Sequence, residues 1–172
     1  MKTTEQLTNA NISALWLAKI QSLSQGALFV ETILVLEDEP FVKNPICTIL
    51  RACGYRVLDA ATAAEAIEVN PPHGERISLL IADVFLPDKS GVWAAVKLLD
   101  MCPTIRILFV SGTPIEGWPS QDFSALQALP PNAWRFLQKP FGAPLLRDSV
   151  RELLKGRAES GYSHDLVMQG AS

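Results

Sequence analysis

Between residues 32 and 154, apolar runs of strand length alternate with stretches in which apolar residues recur at helical spacing. The runs are Thr32 to Glu37, Tyr55 to Ala60, Ile77 to Asp83, Ile105 to Ser111 and Trp134 to Gln138. The first, third and fourth are apolar almost without interruption, as strands covered on both faces must be. The alternation therefore predicts a five-stranded parallel sheet with helices on both sides.

The second helix is announced by Thr62 and Glu65 at capping-box spacing, with Ala63, Ala64, Ala66 and Ile67 as its packed face. The third starts near Gly91, with Val92, Val96 and Leu99 on one side and Lys97 and Asp100 on the other. The fifth runs from about Ala143, where Leu145, Leu146, Val150, Leu153 and Leu154 oppose Arg147, Asp148, Arg151 and Glu152. Proline disturbs the other two. Pro45 falls inside the expected first helix, so that helix is kinked or starts late, with Asn44 capping Pro45. Between Ser111 and Trp134, Pro114, Pro119, Pro130, Pro131, Gly112 and Gly117 leave only Gln121 to Leu129 for a fourth helix in an otherwise irregular segment.

Composition narrows the class without changing this outline. A chain of 172 residues, 48% apolar and 19% charged, suits one globular domain with its own core. A net charge of −3 with no lysine run leaves no footprint for direct nucleic-acid binding. The longest apolar stretches, such as Ile77 to Ala82, fall far short of the roughly 18 residues of a membrane span. Lys19, Gln21, Ser22 and Gln25 break up any export signal. Cys47, Cys53 and Cys102 have no metal-binding spacing, and they are expected to fill helix and core positions in a reducing, cytoplasmic setting. Residues 1 to 30 read as an extension with an amphipathic pattern, Ile12, Leu15, Trp16 and Ile20, that would dock on the domain, pair two copies as a homodimer, or lie upstream of the true start. Residues 157 to 172 read as a polar tail after a domain spanning 31 to 156.

In open parallel sheets the functional crevice lies at the carboxyl ends of the strands. Here strand one ends in Glu37, Asp38 and Glu39, strand three in Asp83, and strand four in Ser111 and Thr113, while Lys139 follows strand five. Carboxylates gathered in this way repel one another, so the group is expected either to raise some pKa values or to recruit a hard cation, with Mg²⁺ or Mn²⁺ the favoured expectation. An aspartate flanked by a metal and an ammonium has what it needs to attack phosphorus and form an acyl phosphate.

These strand ends resemble the receiver domain of response regulators in two-component signalling. The resemblance covers about residues 32 to 156 and rests on four motifs in order: Ile-Leu-Val-Leu-Glu-Asp-Glu-Pro at 33 to 40, Asp-Val-Phe-Leu-Pro-Asp-Lys-Ser-Gly at 83 to 91, Phe-Val-Ser-Gly-Thr at 109 to 113 and Phe-Leu-Gln-Lys-Pro-Phe at 136 to 141. It implies a flavodoxin-like, doubly wound α/β fold. It also implies that Asp83 is the phosphoacceptor and a metal ligand with Asp38 and the Phe85 carbonyl, and that Glu37 acts on the metal through water. Lys139 and Ser111 would contact the phosphoryl group, Lys139 precedes a cis proline, and Ser111 and Phe136 form the switch. The implied role is a single-domain response regulator, a phosphoacceptor and not an enzyme. It would be phosphorylated by a sensor histidine kinase or phosphotransfer protein and would act on a downstream protein.

Two departures qualify the resemblance. Phe136 lacks the hydroxyl of the commoner tyrosine, and bulky Phe85, two residues after the acceptor, would hinder an attacking water and slow autodephosphorylation. The competing readings are a phosphorylation-independent pseudo-receiver that serves as an interaction module, and an Asp-nucleophile phosphohydrolase. The latter is disfavoured because Val84 and Phe85 follow Asp83 where a second acid would be needed. Trp118 and Trp134 are expected to pack, Thr113 to be a turn residue, and His73 and His164 to be neither ligands nor relay groups.

Overall fold

The apolar runs form strands within one residue of their expected ends. The computed structural model describes residues 30–69 and 76–162, with the side chains of 156–162 excepted; His73, His164 and the expectations for the extension and the end of the tail lie outside that range. The elements are β1 (Thr32–Leu36), α1 (Pro40–Ala52), β2 (Arg56–Ala60), α2 (Ala63–Glu68), β3 (Ile77–Asp83), α3 (Gly91–Met101), β4 (Arg106–Ser111), a 3₁₀ turn (Ile115–Gly117), α4 (Ser120–Ala128), β5 (Trp134–Gln138) and α5 (Ala143–Tyr162).

The strands make one five-stranded sheet in the order β2-β1-β3-β4-β5, all pairs parallel. Because successive side chains point to opposite faces, each apolar run feeds two cores. Leu34, Leu36, Leu80, Ala82, Ile107 and Phe109 meet the buried side chains of α2, α3 and α4 on one face. Ile33, Val35, Leu79, Ile81, Leu108 and Val110 meet those of α1 and α5 on the other. This is the doubly wound arrangement. The strand order reverses between β1 and β3, which opens a crevice above their carboxyl ends.

The cap of α2 is as the spacing predicts. Thr62 Oγ1 accepts from the Glu65 N–H at 3.1 Å, and the Glu65 carboxylate reaches back to the Ala61 N–H at 2.8 Å.

Three expectations need correction. Helix α1 does not start late behind Asn44: it begins at Pro40, with Glu39 at the N-cap position, and runs through Pro45. Pro40 needs no partner in the first turn, and Pro45 gives up only its own bond to the Phe41 carbonyl, while Ile46, Cys47 and Leu50 hold the helix to the sheet. The segment after Ser111 is more ordered than its prolines suggest. It is organised around Trp118, which is only 5% exposed, lies edge-on to Phe109 and Phe136 with ring centroids 5.8 and 5.4 Å away, and donates its indole N–H to the Thr113 carbonyl at 3.0 Å. Of the cysteines only Cys47 is buried, since Cys53 is exposed and Cys102 half-buried, each just beyond the end of its helix. No helix among the described residues is long and apolar enough to cross a membrane.

Candidate functional site

Three carboxylates converge at the crevice. Glu37 and Asp38 follow β1, Asp83 ends β3, and one oxygen from each lies within 4.8 Å of the others. Glu37 is 1% exposed, whereas Asp38 faces solvent. Lys139, just beyond β5, aims its ammonium between two of them, with Nζ 2.6 Å from Glu37 Oε2 and 2.7 Å from Asp83 Oδ2. Its backbone N–H donates to the Ser111 carbonyl at 2.8 Å, and the Lys139-Pro140 peptide is cis.

Burial pushes the Glu37 carboxyl above its ordinary range, and the hydrogen bond and charge of Lys139 offset this only in part. Burial works to lower the pKa of Lys139, but its bonds to Asp83 and Glu37 outweigh that and hold it above the usual lysine value. Both contacts favour the charged ammonium beside Asp83.

The remaining oxygens are held by backbone. Asp83 Oδ1 accepts from the Phe85 N–H at 3.1 Å, and Glu37 Oε1 accepts from the Glu39 N–H at 3.3 Å. Phe85 is 46% exposed beside Asp83. Ser111 is buried at the end of β4, where its Oγ accepts from the Thr113 N–H at 3.1 Å, so Thr113 is the expected turn residue. That bond leaves the hydroxyl proton of Ser111 free to donate elsewhere. Phe136, half-buried on β5, packs against Trp118. The structure thus brings Glu37, Asp38, Asp83 and Lys139 into direct register and places Phe85 and Ser111 at the margin. Phe136 sits in the aromatic cluster below, and Glu39 is not one of the converging acids.

Sequence reasoning missed what holds the loop after Asp83. Asp88 caps α2 from 25 and 24 residues away, its two oxygens accepting from the Ala63 and Ala64 N–H groups at 3.1 Å each. Although burial opposes it, backbone donors, those of Lys89 and Ala63 foremost, keep the Asp88 carboxyl below its ordinary range. Ser90, the N-cap of α3, donates to Asp122 Oδ1 at 2.5 Å. No local spacing signals either contact. Only the polar triplet Asp88-Lys89-Ser90 ahead of Gly91 hinted at a capping role.

A hard, all-oxygen donor set with a lysine across it, at the switch point of a doubly wound sheet, is the kind of acidic pocket that receiver domains carry. The response regulator receiver domain model matches residues 33–151, and the chain belongs to that family. The chain is 31% identical over 125 residues to the sensor kinase CckA of Brucella abortus, covering 72% of this chain but only 12% of that kinase. It is 28% identical over 133 residues to the response regulator receiver protein CpdR of the same organism, covering 73% of this chain and 96% of CpdR. Among solved structures, the Thermotoga maritima response regulator TrrA in complex with Mg²⁺ and BeF superposes with a TM-score of 0.58 at 23% identity, over 72% of this chain and 99% of that one. Receiver domains bind Mg²⁺ at such an acidic pocket, act as phosphoacceptor switches, and interact with histidine kinases or phosphotransfer proteins.

Proposed function

We propose that Asp83 accepts a phosphoryl group from a phosphohistidine of a sensor kinase or phosphotransfer protein, in a single-domain response regulator that passes the signal on by protein contact. The observation that carries this reading is the Lys139 ammonium, 2.6 and 2.7 Å from Glu37 and Asp83 in a pocket completed by Asp38. The chain spans 12% of CckA, 48% of the aerobic respiration control protein ArcA and 96% of CpdR, and the activity is assigned to residues 31–156.

An Asp83 oxygen forms the new bond to phosphorus as the phosphorus–nitrogen bond of the donor breaks, and the imidazole nitrogen leaves with the electron pair and takes up a proton. Asp38, Asp83 and the Phe85 carbonyl would hold Mg²⁺, with Glu37 acting through water. The metal, when bound, neutralises charge on the transferring oxygens. Lys139 exchanges its contact with Asp83 for one with the phosphoryl group, and Ser111 turns its hydroxyl proton toward the same group. The Ser111 to Thr113 contact, in which the hydroxyl oxygen only accepts, is joined to the aromatic packing of Trp118 and Phe136 through the bond from the Trp118 indole to the Thr113 carbonyl.

An apolar groove beside the pocket supports an approach of the donor from this side. The groove, of about 270 Å³, runs between α1 and the segment after β5, and Phe41, Pro45, Ile49, Pro140 and Phe141 line it together with Lys139. Phe41 is 95% exposed there. Because Lys139 belongs to both groove and pocket, an apolar helix seated in the groove would bring its phosphohistidine to Asp83.

Intact mass after incubation with Mg²⁺ and acetyl phosphate is expected to show a single phosphoryl adduct, lost in Asp83→Asn and after removal of metal with EDTA. Phe41→Ala is expected to slow transfer from a protein donor while leaving acetyl phosphate labelling unchanged. No adduct on folded protein with a range of donors would sink this reading in favour of a phosphorylation-independent pseudo-receiver.

A further inference from the structure

The loop from Val84 to Ser90 leaves Asp83 and returns to it. The Gly91 N–H donates to the Val84 carbonyl at 3.0 Å, and α3 begins so close to β3 that a Cβ on Gly91 would lie 1.9 Å from the Asp83 carbonyl oxygen. The first residue of α3 therefore rests on the backbone of the acceptor itself. Ser90, one residue earlier, has its Oγ in two bonds. It accepts from the Trp93 N–H at 3.2 Å as the helix cap, and it donates to Asp122 at 2.5 Å.

Asp122 stands in the first turn of α4 and is 5% exposed. A carboxyl group that deep needs a polar partner, and Ser90 is the side chain that supplies it. Its place at the N-terminal turns of both α3 and α4 adds the favourable end of two helix dipoles. An uninterrupted path of close contacts results, from the Asp83 carbonyl through Gly91 and Ser90 to Asp122.

We propose that Asp122 is a positioning residue for the Asp83 site: by holding Ser90, and through it Gly91, it fixes the Asp83 backbone and ties α4 to what that carboxylate carries. The coupling to phosphorylation rests on the reading of Asp83 given above, whereas the tie itself does not. Asp88 anchors the middle of the same loop to α2, so α4 holds only the end that abuts the acceptor.

The test compares the full chain with Asp122→Ala, Asp122→Asn and Leu126→Ala. Leu126→Ala empties a buried position on the same helix, where the side chain is 3% exposed, without touching Ser90. Amide hydrogen exchange at residues 84–91 and the rate of labelling by acetyl phosphate with Mg²⁺ are read beside urea stability. Asp122→Ala is expected to speed exchange across 84–91 and slow labelling about three- to tenfold, the scale of one hydrogen bond to a buried acid. Asp122→Asn keeps an oxygen acceptor and should recover most of both. Leu126→Ala should lose at least as much stability yet leave both readouts near wild type. The proposal is overturned if Asp122→Ala matches wild type, if Leu126→Ala matches Asp122→Ala, or if Asp122→Asn recovers nothing. If the wild-type protein takes no phosphoryl group, the phosphoacceptor reading of Asp83 fails by itself, and exchange at 84–91 still decides the tie.

Discussion

The acidic pocket and the segment from Gly112 to Ala133 sit side by side on the sheet and are built on opposite principles. The pocket consists of charged groups delivered by strand ends, with Lys139 spanning Glu37 and Asp83. The segment is held largely by packing around Trp118, which is wedged against Phe109 and Phe136 and anchored by its indole N–H, together with buried Leu126 and the bond of Asp122 to Ser90. Chemistry on one side and packing on the other means that the aromatic core of the segment can be damaged with little effect on the pocket, the link from Asp122 to Ser90 being the place where the two regions are joined.

Trp118→Ala should make the largest difference. Emptying a site of that size costs about 3–5 kcal/mol, which urea unfolding would register, while labelling of the protein that remains folded should change little. A large drop in labelling at full occupancy of the folded state would break the comparison. Lys139→Met comes next. Loss of one preorganised cation at a charged transition state is expected to slow labelling about 100-fold, with rate against Mg²⁺ concentration as the measurement. A rate near wild type would leave the ammonium with only the task of neutralising buried Glu37. Phe85→Ala should be the mildest: stability within about 0.5 kcal/mol of wild type, as for an exposed side chain, with a shorter phosphoenzyme lifetime as water gains access. An unchanged lifetime would remove Phe85 as a shield.

The pocket was the more legible of the two regions because its residues are fixed by a local rule. A parallel strand buried on both faces must end where polarity begins, so Glu37, Asp38, Asp83 and Ser111 announce themselves at the ends of apolar runs. The cap of α2 was legible for a similar reason, with Thr62 and Glu65 three residues apart. What stayed hidden is tertiary. The path of α1 through Pro45 depends on Ile46, Cys47 and Leu50 finding the sheet, and although a helix at 121 to 129 was legible, the order of the segment around it comes from the burial of Trp118 and Leu126. The contacts of Asp88 and Asp122 cross 25 and 32 residues, and no spacing rule reaches that far.

One consequence of the Lys139 geometry concerns the ionic medium. In their charged forms, the three clustered carboxylates outnumber the single ammonium and leave a formal excess of two negative charges at one end of the sheet. One divalent ion cancels that excess, whereas a single monovalent ion leaves half of it in place. A domain that takes such an ion only when folded gains about 1.4 kcal/mol of stability for each tenfold rise of free ion above its dissociation constant. Its melting temperature then becomes a gauge of the magnesium around it, read without any phosphoryl donor at all.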